Sequence, residues 1–246
     1  MLNYSKVRDV SKYKLIMSDL DNTLLPIYTQ DRFVEIWFRD ITKIFRKHGL
    51  DPVRAANGVN QGVRAMLYND SGRKNIDVFY EEVEKISGYP RYMIEPPTLE
   101  YYATTFANVY DITLPNPFAV RIAELMREKA EYAVVATMPV FTIEAVAMRM
   151  SWVGLTPEMF DHITTAPTSS FCKPDPRYFQ EILDRFGVRP EQALMIGNDV
   201  REDMYPCKDL GIDTFLVLNH KITHGLPFDD FRQGTYEDLI AFLEAL

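Results

Sequence analysis

Residues 14–23 read KLIMSDLDNT, and the fold follows from how this stretch is read. A short apolar run that passes straight into an acidic loop fits a strand buried on both faces, as in a parallel sheet. Asp19 and Asp21 stand at i and i+2 on that loop. Two carboxylates so placed can point into one pocket, where their repulsion calls for a cation. Downstream, apolar runs at 132–137 (YAVVAT), 161–166 (DHITTA, weaker), 193–197 (ALMIG) and 213–218 (DTFLVL) repeat the strand signal. Helical patterns separate them at 117–130, at 141–151, from Asp175-Pro176 onward and near 201–210, and TYEDLIAFLEAL closes the chain as a helix. Strands alternating with helices predict an α/β fold, a Rossmann-like parallel sheet with helices on both faces.

The stretch from residue 29 to about 112 breaks this alternation, because its pattern is helical throughout. Thr29 can cap a first helix that stops at Gly49. Asp51-Pro52 starts a second, with a cap residue followed by proline at the first helical position. Asn75 can cap a third, and Pro96-Pro97 open a fourth. The expectation is a catalytic core formed by residues 1–26 and 115–246, interrupted by an all-helical cap domain over 27–114 with proline-marked hinges at Pro26 and Pro115.

Composition narrows the function. The 246 residues are 47% hydrophobic and 25% charged, with a formal net charge of −8. These are values of an ordinary globular chain. No Lys/Arg cluster stands out, so no nucleic-acid partner is expected. No apolar run is long enough to span a membrane. The N-terminus has neither the apolar core nor the cleavage site of a signal peptide, and a cytoplasmic location follows. Cys172 and Cys207 lack a CxxC spacing, which argues against a disulfide or a zinc site. The four histidines, His48, His162, His220 and His224, show no metal spacing and receive no role.

Four polar features stand at the carboxyl ends of the predicted strands, where open α/β sheets bind their ligands. They are Asp19-Leu20-Asp21-Asn22-Thr23, Thr137, Lys173-Pro174, and Gly197-Asn198-Asp199 with Asp203. In this order the set resembles the haloacid dehalogenase superfamily, and the resemblance covers the whole chain. The helical insertion after the first motif is similar to that family's helical cap.

The resemblance implies a phosphatase that is Mg²⁺-dependent and acts on a small phosphorylated metabolite. Asp19 would be the nucleophile, forming an aspartyl-phosphate that water hydrolyses. Asp21 would be the general acid and base, with its backbone carbonyl on the metal. Family members that cleave carbon–halogen or phosphonate bonds lack a carboxylate at this position, so Asp21 favours phosphate-ester cleavage. Thr137 and the backbone N–H of Met138 would bind the phosphoryl group, and Lys173 would offset the charge of nucleophile and phosphate. The metal would be held by Asp19, Asp21 and the 198–203 segment. Family members commonly have Asp where this chain has Asn198, so Asn198 and Asp199 compete for the direct ligand position, with Asn198 favoured and Asp203 nearby. A phosphosugar mutase or a catalytically silent phosphate-binding protein could share the same core. The cap is expected to set specificity. Arg54, Asn57, Gln61 and Arg64 share one face of its second helix, read as an exposed polar face. Trp37, Phe38, Tyr101 and Tyr102 are read as helix-packing aromatics.

Overall fold

The computed structural model describes residues 12–29 and 31–246. Six parallel strands form one sheet in the order β3-β2-β1-β4-β5-β6: β1 Leu15–Ser18, β2 Tyr132–Val135, β3 His162–Ile163, β4 Ala193–Gly197, β5 Asp213–Val217 and β6 Gln233–Gly234. Leu15 pairs in register with Tyr132 on one side and Ala193 on the other, which puts β1 at the centre. The chain builds outward from β1 in both directions, so a topological switch point lies between β1 and β4.

The strands alternate as their period of two requires. Ile16, Ala133, Val135, Leu194 and Ile196 pack on one face against α5 (Ala119–Lys129), α6 (Ile143–Ser151) and α9 (Tyr236–Glu244). Leu15, Met17, Val134, Ala193 and Met195 pack on the other against α7 (Pro176–Phe186) and α8 (Tyr205–Leu210). Both faces are dry, which explains why the strands read as unbroken apolar runs.

Between β1 and α5 lie α1 (Asp31–Lys47), α2 (Pro52–Leu67), α3 (Asn75–Ser87), α4 (Arg91–Ala103) and a 3₁₀ helix, Thr105–Ile112. They bury their own cluster, including Ile41, Phe45, Val59, Val83, Ile94, Tyr101 and Phe106, and this cluster continues onto Ala145, Ala166 and Cys172 of the α/β layer. The two connectors run side by side. Ile27 bridges Thr113, and the Leu114 N–H donates to the Pro26 carbonyl at 2.9 Å.

Several expectations hold in detail. Asp51 caps α2, accepting from the Arg54 N–H, with Pro52 behind it. Gly49 takes the left-handed conformation just past α1 (φ 75°). Arg54, Asn57 and Arg64 are exposed, as their shared polar face implied, while Gln61 is half-buried. Others need correction. Asn75 is no cap: it is the first residue of α3, Lys74 stands at the cap position, and the Asn75 side chain is fully buried. Helix α4 begins at Arg91, so Pro96-Pro97 lie inside it. They are its sixth and seventh residues, past the first turn, so each removes a backbone donor that would otherwise reach back one turn. Phe38 is 45% exposed and does not pack as foreseen, whereas Tyr101 is fully buried. Strand β6, two residues long, carries too little pattern to read in advance. Residues 1–11 and the residue after Thr29 lie outside the described region, and with them the reading of the N-terminus and the Thr29 cap. Among the described residues no helix is long and apolar enough to cross a membrane.

Candidate active site

The four motifs converge. Asp19, Asp21, Asn22, Thr137, Met138, Lys173, Asn198, Asp199 and Asp203 line one cavity of about 340 Å³ at the carboxyl ends of β1, β2 and β4. Arg201, Glu202, Ile222 and His224 complete its wall. Among the described residues, none of the 27–114 segment lines it.

Lys173 organises the floor. It is 3% exposed, and its Nζ donates to Asp19 Oδ1 at 2.8 Å and to Asp203 Oδ1 at 2.6 Å. Burial alone would lower the lysine pKa, but the charges of Asp19 and Asp203 outweigh it and hold Lys173 well above its ordinary value. Burial pushes the Asp19 carboxyl up, opposed by Lys173 and assisted by Asp21. Burial likewise raises Asp203, to about 7, against the opposing charge of Lys173. Glu202 is raised by burial and then by Asp199. Carboxylates thus outnumber the buried cations of the pocket.

Local backbone fixes these groups. Asn22 adopts φ 64°, and its side chain accepts from the Ile27 N–H at 2.8 Å, turning the chain sharply after Asp21. Gly197 lies against Asp203: a Cβ there would stand 2.3 Å from Oδ2, so only glycine lets the carboxylate approach β4. The Thr137 carbonyl accepts from Tyr178 Oη at 2.8 Å and from Thr164 Oγ1 at 2.7 Å. The Thr137 hydroxyl, in contrast, is buried without a partner among the described residues.

The acidic segment is divided in its loyalties. Asp199 Oδ1 accepts from the N–H groups of Arg201 and Glu202, capping a π-helical turn, Val200–Met204, and Oδ2 pairs with His224 Nε2 at 2.7 Å. Asp203 Oδ2 accepts from the Asp199 N–H at 3.1 Å. Asn198 Oδ1 accepts a single bond, from Thr23 Oγ1 at 3.0 Å, while its Nδ2 donates to the His220 carbonyl. Asn198 therefore keeps an oxygen lone pair that Asp199 has largely committed.

Three features escaped the sequence. His224 enters the cavity because the Asp199–Ile222 bridge draws its segment over β4. Tyr178 clamps Thr137 from α7. Arg149 of α6, 2% exposed, donates from Nη1 to Asp21 Oδ2. None has a local motif, since each partner lies many residues away. Cys172, read as packed, is buried, and burial pushes its thiol up to about 12.

Known proteins agree with this architecture. The chain is 27% identical over 237 residues to the glyceraldehyde 3-phosphate phosphatase of Methanocaldococcus jannaschii, covering 95% of this chain and 98% of that one. A glyceraldehyde 3-phosphate phosphatase of Pyrococcus abyssi is 23% identical over 202 residues, 82% of this chain and 79% of the relative. Among solved structures, a 2-haloacid dehalogenase from Pseudomonas syringae superposes with a TM-score of 0.60 at 20% identity, over 95% of this chain and 98% of the other. A phosphatase of the same superfamily from Thermococcus onnurineus gives 0.56 at 19% identity, over 94% and 97%. At those identities the structures speak for the fold alone. The family model for haloacid dehalogenase-like hydrolases matches residues 13–211, from β1 through α8, and spans each of the four motifs. The chain belongs to the haloacid dehalogenase-like hydrolases.

Proposed function

We propose that the protein is a phosphomonoester hydrolase for a small phosphorylated metabolite, working through an aspartyl-phosphate on Asp19. The observation that carries this reading is the Lys173 bridge, which presents the Asp19 carboxylate at the floor of a cavity whose wall holds a Thr137 hydroxyl with no partner among the described residues. The nucleophile is fixed and charge-balanced, and a phosphoryl oxygen would complete the hydrogen bonding of Thr137. The Met138 N–H is the second donor in this account.

Asp19 attacks phosphorus as the bond to the ester oxygen breaks. The electron pair of that bond goes to the leaving oxygen, which takes a proton from Asp21. Water then attacks the aspartyl-phosphate, gives its proton to Asp21, and releases phosphate and the free Asp19 carboxylate. Each half avoids a direct displacement by water.

The pocket suits Mg²⁺. Its donors are oxygens, as that hard cation prefers, and its carboxylates exceed its cations. Two unit charges about 4 Å apart repel by roughly 4 kcal/mol at an effective dielectric near 20, so a phosphate dianion adds a load that a divalent ion offsets. Asp19, the Asp21 carbonyl and Asn198 would hold it, with Asp199 and Asp203 supplying charge around it. Bound there, Mg²⁺ would polarise the phosphoryl group and neutralise developing charge. Asn198 is favoured over Asp199 because both Asp199 oxygens are already taken.

The helical segment 27–114 acts as a cap in this reading, entered and left through the paired connectors. The full-length relatives' name makes a triose phosphate the first substrate to try. The test is turnover of glyceraldehyde 3-phosphate against a panel of sugar phosphates, nucleotides and phosphorylated acids, with Mg²⁺ and with EDTA. Release of phosphate that requires the metal, and a larger rise of the Mg²⁺ activation constant in Asn198→Ala than in Asp199→Ala, are expected. Metal-independent turnover, or transfer of phosphate to another position of the substrate in place of release, would contradict the reading.

A further inference from the structure

Arg149 has no place in the roles above, yet its position is unusual. Arginine is rarely buried without full pairing. Here Nη1 donates to Asp21 Oδ2, Nε reaches the Ala145 carbonyl at 3.4 Å, and the guanidinium lies 4.4 Å from the centre of the Phe141 ring. The ion pair is one-armed. Arg149 Nη2 and Asp21 Oδ1 are both buried with no partner among the described residues. An arginine–carboxylate pair serving structure alone gains by closing into a two-bond fork. This pair forms one bond and leaves a buried donor and a buried acceptor unpaired beside the reacting centre, so what it secures is the orientation of the Asp21 carboxyl group and not a closed fork.

We propose that Arg149 is a positioning residue for Asp21: it grips Oδ2 and fixes the orientation of the carboxyl group that gives and takes the proton. This rests on the reading of Asp21 as general acid and base. The guanidinium stays charged throughout, so the grip persists in both halves of the reaction. When Asp21 gives its proton to the departing ester oxygen, the resulting carboxylate stays paired with Arg149. When water attacks the aspartyl-phosphate, the same carboxylate receives a proton from it. Phe141 and the α6 backbone hold the guanidinium plane, a constraint that a lysine ammonium would not reproduce.

The test compares an alkyl phosphate with p-nitrophenyl phosphate, whose leaving group needs little protonation, in wild type, Arg149→Met, Arg149→Lys, Asp21→Ala and the Asp21→Ala/Arg149→Met double variant. Arg149→Met should lower kcat on the alkyl phosphate by about 10–100-fold, part of what general acid–base catalysis supplies, with KM nearly unchanged and a much smaller loss on p-nitrophenyl phosphate. Arg149→Lys should recover part of the loss. With Asp21 already removed, Arg149→Met should cost nothing more, because the two act as one unit. Equal losses on both substrates, a full further loss in the double variant, or undiminished activity would each overturn the proposal. An Asp21→Ala variant indifferent to the leaving group would instead remove the acid role itself, and the proposal with it. Should Arg149→Met fail to fold, Arg149→Lys against Asp21→Ala/Arg149→Lys carries the same comparison.

Discussion

Thr137 brings a hydroxyl to the cavity with its carbonyl clamped and its Oγ1 without a partner among the described residues. A buried, unsatisfied hydroxyl is a cost to the folded state that bound phosphate would remove. Thr137→Val keeps the shape and deletes the hydroxyl. Its stability should stay within about 1 kcal/mol of wild type or rise, since no protein hydrogen bond is lost. Its kcat/KM should nonetheless fall by about 10²-fold, the effect of losing one preorganised donor to a developing oxyanion. Thermal melting and steady-state kinetics on one preparation check both; a destabilised variant with intact activity would contradict the assignment. The same residues show what can be read in advance. Asp19 and Thr137 were legible because each closely follows a strand, and Lys173 because it stands just before the Asp175-Pro176 start of a helix. Arg149, Tyr178 and His224 were not, because their partners Asp21, Thr137 and Asp199 lie in distant segments and only the closed fold brings them near.

Helix α3 meets the loops beside the cavity at its first turn. The Asn75 N–H donates to the Ser169 carbonyl at 2.9 Å and the Ile76 N–H to the Ala166 carbonyl at 3.0 Å. The Asn75 side chain lies 3.3 Å from the Pro139 carbonyl and 3.4 Å from Cys172 Sγ, and accepts from Asn69 Nδ2 at 2.9 Å. This latch joins the helical segment to the loops that follow Thr137 and precede Lys173. Asn75→Ala leaves buried acceptors unpaired and should cost about 1–3 kcal/mol in unfolding free energy. Amide exchange across residues 166–173 should quicken, because those loops lose their anchor. Unchanged exchange there would mean that the latch bears no load. At this scale the sequence was legible where a local signal decides the outcome, as at Asp51-Pro52 or in ALMIG. It failed where packing overrode propensity: Asn75 has the chemistry of a cap, but burial against residues nearly a hundred positions away claims its side chain.

The whole chain combines an acidic surface balance with a buried acidic pocket, and the fold makes this workable by placing one lysine between two carboxylates. The parallel order was foreseeable from alternating strands and helices, and the position of the site from strand ends. The place of the helical segment was foreseeable only in part. Its helices bury an apolar cluster that runs on into the α/β layer, and none of its described residues lines the cavity, so the substrate-reading role foreseen for it needs either movement or a different reader, such as the wall around Arg201 and His224. The central claim is that the carboxylate of Asp19 takes up phosphorus. The direct measurement is an acid quench during turnover of the full chain, followed by borohydride reduction and peptide mass spectrometry. The account predicts reduction of a trapped acyl-phosphate at position 19, giving homoserine there, and its absence in Asp19→Asn; a trapped group on any other residue, or turnover by Asp19→Asn near the wild-type rate, would contradict it.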